Sequence, residues 1–245
     1  MRILIAGATS GIAKECARIW AQSEGTELVL VARDTQKLAA MAADLRVRSP
    51  KVAIQSFSLN LVDPAEVADL ETRLRALGEL DVALIAQGEL TDQGLAQSSA
   101  EALAKSLTVN ATSVALFAEL AARIMESQGH GSIALIGSVA GDRARRANYS
   151  YGAAKAFIDT YVRGMRHRFA ESGIRVTVIK PGPTATPMTT ALATSGKLAS
   201  ASQVAADIVS GISGGKSVVY TPGLWRYIML VVRLIPQPIF DKLNF

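Results

Sequence analysis

The chain has 245 residues, 49% of them apolar and 19% charged, with a formal net charge of +5. That is enough apolar material for one large core, so a single domain is expected over residues 1–223, followed by an apolar tail at 224–245. The lone Cys16 excludes an internal disulfide, the isolated His130 and His167 exclude a histidine metal site, and the scattered basic residues lack the stripe that would mark a nucleic-acid partner.

The chain opens on RILIA (2–6), which runs directly into a glycine turn, GATSGIA (7–13). This leaves no space for a cleavable signal, and a cytoplasmic setting is expected. Gly7, Gly11 and Ala13 stand where such a turn would open a helix: glycines let the backbone approach a pyrophosphate, and the helix N-terminus offers N–H groups and a favourable dipole. The next apolar run, ELVLVA (27–32), is followed by Arg33. An acid at that tip would hold a ribose 2′-hydroxyl, whereas a guanidinium pairs with a 2′-phosphate, so NADP(H) is favoured, with NAD(H) as the alternative. Asp34 reads as a helix cap.

KVAIQSF (51–57) reads as a third strand, and Asp63, Pro64 and Glu66 signal a helix start. DVALIA (81–86), SIALIG (132–137), RVTVIK (175–180) and SVVYT (217–221) complete seven apolar runs separated by helix-sized segments. Runs apolar at consecutive positions suit strands covered on both faces, and their alternation with helices implies βαβ units. The expected fold is α/β: a Rossmann-type, doubly wound, seven-stranded parallel sheet in a three-layer sandwich.

Between the fifth and sixth runs lies YSYGAAK (149–155). A phenol titrates near pH 10 and is a poor acid or base at neutrality, but a lysine one helical turn away favours the phenolate. Tyr151 has Lys155 at that spacing; Tyr149 has Ala153. Ser138 ends the fifth run, on the carboxyl edge where open α/β sheets bind ligands. Asn110 sits inside a helical stretch, SLTVNATSV, where an asparagine competes with the backbone and needs a reason.

This ordered set resembles the short-chain dehydrogenase/reductase family over nearly all of the chain. The resemblance implies a tetrad of Asn110, Ser138, Tyr151 and Lys155: Tyr151 as general acid/base, Ser138 bonding the substrate oxygen, Lys155 on the nicotinamide ribose, and Asn110 holding a relay water. It further implies cofactor contacts at Gly7, Thr9, Ser10, Gly11, Ile12, Arg33, Asn60, Leu61, Ala86, Gly88 and Lys155, and at Pro181, Gly182, Thr184 and Thr186 of KPGPTATPM. Three positions depart from the family pattern. Ala13 replaces the third glycine, Asn60 the aspartate that meets adenine, and Ala86–Gln87 the usual bracing residues after strand four.

Arg143, Arg145 and Arg146 lie between Ser138 and Tyr151. Three guanidinium groups there suit an anionic substrate, with a solvated loop or a subunit contact as the alternative. The stretch Leu224–Ile235 carries only Arg226 and Arg233 as charges and is too short to cross a bilayer. It would pack in the core, form a dimer contact, or lie in a membrane interface. Within the family, GDRARRANYSYGAAK, LIAQGEL and the tail WRYIMLVVRLIPQPIFDKL are similar to reductases that complete decaprenylphosphoryl-ribose epimerisation after a separate oxidase. That similarity implies a lipid-linked 2-keto-pentose substrate in cell-envelope polysaccharide synthesis, held by the three arginines with Tyr149 beside them, and peripheral membrane contact through 224–245. A soluble reductase of a small ketone, sugar or acyl thioester, and a nucleotide sensor without turnover, stand as the other readings. By family habit the protein would be a homodimer or homotetramer.

Overall fold

The computed structural model describes residues 1–192 and 198–243. Its elements in chain order are β1 (Arg2–Ala6), α1 (Gly11–Trp20), β2 (Glu27–Ala32), α2 (Thr35–Arg48), β3 (Ala53–Ser58), α3 (Pro64–Leu77) and β4 (Val82–Ile85). There follow α4 (Gln93–Ser98), α5 (Ala100–Leu107), a π-helical turn (Thr108–Thr112), α6 (Ser113–Gln128), β5 (His130–Ile136), α7 (Tyr149–Arg168) and β6 (Gly173–Pro181). The chain ends with the short strands β7 (Thr184–Ala185) and β8 (Ala199–Ser200), then α8 (Ala201–Ser213), β9 (Val218–Thr221), α9 (Trp225–Leu234) and α10 (Gln237–Phe240). Asn244 and Phe245, the end of the predicted tail, lie outside the described residues.

The seven apolar runs are the strands of one sheet, ordered β3-β2-β1-β4-β5-β6-β9, and every pairing is parallel. Strand side chains alternate between faces. Ile3, Ile5, Leu28 and Leu30 therefore meet α1, α2 and α8 on one side, while Leu4, Val29 and Val31 meet α3, α6 and α7 on the other. Each fully buried leucine or isoleucine contributes about 1.5–3 kcal/mol, and both layers are continuous. One stretch, Ala100–Gln128, is long and apolar enough to cross a membrane, yet 61% of its apolar window is buried, as in a helix covering a sheet.

Strand order reverses between β1 and β4, which opens a crevice at their carboxyl ends. Helix starts follow the predicted caps. Asp34 Oδ1 accepts from Lys37 N–H at 2.9 Å, and Asp63 Oδ1 from Ala65 N–H at 2.8 Å. The reciprocal half of the predicted capping box is missing: the Asp63 N–H already donates to Asn60 C=O, so Glu66 accepts from the Asn60 N–H instead.

Candidate active site

The turn after β1 needs a left-handed residue, and Gly7 supplies φ of +73°. A Cβ there would also strike the backbone of Ala86 and Gln87 after β4, so the two turns at the strand reversal can touch only through a glycine. Ser10 caps α1, its Oγ accepting from Ala13 N–H at 3.2 Å. A Cβ on Gly11 would press on Thr186 at 3.0 Å, which places the loop after β6 opposite the first turn of α1.

A cleft of about 670 Å³ runs from this turn to Tyr151. Every residue expected to touch a cofactor lines it except Asn60. Asn60 is exposed and folds back on its own backbone, Oδ1 accepting from Val62 N–H at 3.4 Å, so Leu61 and Val62 form that wall. Arg33 and Lys37 both reach the cleft. The Asp34 carboxylate between them is occupied: the Lys37 backbone N–H and ammonium hold it below the usual carboxylate range. Two cations without a free acid suit a 2′-phosphate. Gln87 borders the cleft and is buried: its Nε2 donates to Ser113 C=O at 3.3 Å, while its Oε1 has no partner among the described residues. A glycine cradle, a basic end and an orphaned acceptor fit a dinucleotide.

At the other end of the cleft, two glycines bring together the elements that carry Ser138, Tyr151 and Lys155. Ser138 caps the turn after β5, its Oγ accepting from Ala140 N–H at 3.1 Å. A Cβ on Gly141 would meet the Lys155 and Ala156 backbone at 2.7–2.8 Å, and one on Gly152 would meet Ala140 O at 3.0 Å. This close seating puts Ser138 in hydrogen-bond contact with Tyr151. Burial pushes the Tyr151 phenol up to about 12, against the opposite pull of the Ser138 bond. Lys155 Nζ donates to Ile136 C=O at 2.9 Å and lies 5.5 Å from the Tyr151 ring centroid. With no carboxylate paired to it among the described residues, burial draws the ammonium down to about 8. Here the structure departs from the sequence expectation: desolvation, rather than attraction to Lys155, dominates the phenol, and Tyr151 stays protonated at neutrality.

Asn110 is buried in the π-helical turn and does not line the cleft; Val109 and Ser113 do. Its Oδ1 accepts from Glu89 N–H at 3.0 Å, and its Nδ2 donates to Glu89 C=O at 2.9 Å and Ser106 C=O at 3.0 Å. The mid-helix asparagine is thus a clamp on the loop after β4, its amide bonded to Glu89 and Ser106.

The three arginines separate. Arg145 lines the cleft and has no side-chain partner among the described residues. Arg146 is exposed, engaged elsewhere and away from the cleft wall. Arg143 turns outward, donating to Val232 C=O at 2.7 Å, Ile235 C=O at 2.5 Å and Gln237 Oε1 at 3.1 Å. Of the three arginines expected from sequence beside the substrate, only Arg145 lines the cleft, because the tail supplies acceptors that Arg143 meets first. Tyr149, the first residue of α7, is 44% exposed and outside the cleft wall.

Two features escaped sequence reasoning. Asn148 lines the cleft with a buried Oδ1 lacking a partner among the described residues; an asparagine just before a helix was the available signal, although here it caps nothing. Lys180, a charge at the buried end of β6, pairs with Asp142 at 2.6 Å and Asp159 at 2.8 Å. Tyr220 Oη donates to Asp142 at 2.8 Å, and Arg163 to Asp159 at 2.6 Å. Burial favours a neutral Lys180, but the two carboxylates outweigh it and hold the amine above its usual value. The network joins the Ser138 loop, the Tyr151 helix and the Pro181–Gly182 turn.

The tail follows from β9. The Trp225 indole packs where a Cβ on Gly182 would sit, and of α9 only Met229 is buried. Tyr227, Leu230, Val231 and Leu234 are 66%, 57%, 64% and 74% exposed and recur at helical spacing, so α9 presents an apolar stripe outward.

A family model described as short chain dehydrogenase matches residues 1–196. An uncharacterised oxidoreductase of Mycobacterium tuberculosis is 33% identical over 243 residues, covering 98% of this chain and 96% of that protein. One of Streptomyces coelicolor is 31% identical over 245 residues, covering 98% and 95%. Among solved structures, a short-chain dehydrogenase from Sphingobium yanoikuyae in complex with NADPH is 29% identical with a TM-score of 0.84, covering 99% of this chain and 96% of that one. A bulky-bulky ketone specific alcohol dehydrogenase from Comamonas testosteroni is 26% identical with a TM-score of 0.81, covering 99% and 94%.

Proposed function

This chain belongs to the short chain dehydrogenase family and is an NAD(P)-dependent oxidoreductase, and within that family we propose that it uses NADP(H) to reduce the keto group of an anionic, lipid-linked sugar, a polyprenyl-phosphoryl 2-keto-pentose. The observations that carry the reading are Arg145, which lines the cleft without a side-chain partner among the described residues, and the exposed apolar stripe of α9. A guanidinium there receives a phosphate, and the stripe lies on a membrane where a polyprenyl chain keeps its headgroup. NADP(H) is supported by Arg33 and Lys37 at the cleft end and by the NADPH of the Sphingobium yanoikuyae neighbour.

The cofactor, when bound, supplies the hydride. Tyr151 is protonated at neutrality and gives its proton to the carbonyl oxygen, while Ser138 Oγ donates to the same oxygen and aligns it. The phenolate left behind is stabilised by the Lys155 ammonium, which Ile136 C=O holds in place. Gly7 and Gly11 would let a pyrophosphate approach the turn, and Gln87 on the cleft wall would border the cofactor. In this reading the substrate comes from a separate oxidase, the enzyme sits peripherally on the cytoplasmic membrane face, and it acts as a homodimer or homotetramer.

The test is NADPH oxidation with a polyprenyl-phosphoryl 2-keto-pentose beside a panel of soluble ketones, with Tyr151→Phe as control. Arg145→Ala should raise KM for the phosphorylated lipid about tenfold or more and leave KM for neutral ketones within about twofold, as expected for one charge-assisted hydrogen bond. Liposome flotation should depend on the tail. Turnover of soluble ketones alone, or flotation unchanged after deletion of 224–245, refutes the lipid-linked substrate.

A further inference from the structure

We infer that Arg143 is a positioning residue: it fastens the tail across the loop leading to Tyr151, and so sets the placement of Arg145 and Asn148 at the substrate end of the cleft. The inference holds whichever carbonyl is reduced, because it concerns the loop and not the ligand.

The last carbonyls of a helix lack intrahelical partners and carry the negative end of its dipole. In α9 those of Val232 and Arg233, with Ile235 just beyond, are met by one guanidinium, Arg143 Nη1, at 2.7, 3.4 and 2.5 Å. Its Nη2 reaches Gln237 Oε1 at 3.1 Å, and its plane lies 3.8 Å from the Phe240 ring centroid. One side chain therefore bridges the end of α9, the bend at Pro236 and the first and last residues of α10. A lysine could not: it offers a single point charge where a planar fork of donors is in use.

The loop needs this anchor. Between Arg143 and Asn148 the backbone makes one internal hydrogen bond among the described residues, Asn148 N–H to Arg145 C=O at 3.0 Å. On its N-terminal side the loop is fixed by Asp142, whose buried carboxylate binds Lys180 and Tyr220; on its C-terminal side it is fixed by α7. Adjacent residues thus face opposite ways, Asp142 into the core and Arg143 onto the tail. At its other end α9 rests on Gly182 through Trp225, so the tail braces both loops that wall the cleft.

The experiment uses full-length protein with NADPH, as Arg143→Ala, Arg143→Lys and Phe240→Ala; the last loosens the same contact without touching the loop sequence. Hydrogen–deuterium exchange at amides 144–149 is compared with the strands. Steady-state reduction is followed with acetophenone and dihydroxyacetone phosphate as neutral and anionic carbonyl probes. Arg143→Ala and Phe240→Ala should each speed exchange at 144–149 about tenfold, with Arg143→Lys rescuing only part, while strand exchange and NADPH affinity stay within about twofold. For any probe reduced, KM should rise severalfold with kcat little changed. If neither probe is reduced, the exchange result decides. Unchanged exchange at 144–149 in both variants overturns the inference, and so does a uniform rise across the sheet, which marks general destabilisation.

Discussion

Replacing Lys180 with methionine should be among the most damaging single changes in the molecule. The side chains of Lys180 and Asp142 are 4% and 3% exposed, so removing the ammonium leaves the Asp142 carboxylate buried with, among the described residues, only the Tyr220 hydroxyl donating to it. Breaking one side of a buried pair costs about 3–5 kcal/mol. Asp159 suffers less, since it is 15% exposed and keeps Arg163 at 2.6 Å. In a chain of this size each kcal/mol moves Tm by about 2–4 °C, so Lys180→Met should melt roughly 6–20 °C lower. Adding Asp142→Asn removes the uncompensated charge and should recover about half of the loss. Urea unfolding followed by fluorescence of Trp20 and Trp225 reads both variants. A loss under about 1 kcal/mol for Lys180→Met, or no recovery in the double variant, would show that the buried charges are not what holds this junction.

Reductive turnover should fall as pH rises through about 8, where the Lys155 ammonium is lost, and Lys155→Met should abolish that limb of the profile along with most of the rate. The same shift has a stability consequence. Between about 8 and the ordinary value of 10.5 the unfolded chain holds a proton that the folded protein has released, so the contribution of Lys155 rises with pH across that window and its penalty is full below it. Tyr151 acts oppositely: its folded value of about 12 exceeds the ordinary 10.0, so its contribution is lost as pH rises between them, and pH-resolved denaturation of Tyr151→Phe should lack that decline. Arg33→Ala should cut the NADPH-over-NADH ratio of kcat/KM by about tenfold or more, the worth of a charged hydrogen bond; an unchanged ratio would move the 2′-phosphate contact to Lys37 alone.

The strands and the first turn were legible because their causes are local. Each of the seven runs became a strand, the central ones covered on both faces and the edge strand β3 left partly exposed. Gly7 was legible as a turn residue, and the four-residue spacing placed Tyr151 and Lys155 on one helix face without any tertiary knowledge. Even the Asp34 cap could be read, since a carboxylate before a helix finds the first-turn N–H groups within its own segment.

Partners distant in the chain could not be read in this way. Arg143, Arg145 and Arg146 look alike in sequence, yet one grips a tail about ninety residues onward while another faces the cleft. Asn110 stood in mid-helix without a visible reason, and its amide proves to be bonded to the backbone of Glu89. Asn60 turned to its own loop, and Lys180, hidden in a strand, found carboxylates from two other elements. Backbone sterics and the periods of helix and strand act over a few residues, so the sequence by itself determined the elements, their order and the spacing of the catalytic pair. A buried polar or charged group must be satisfied by whatever packing brings within about 3 Å, and only the folded chain decides which group that is.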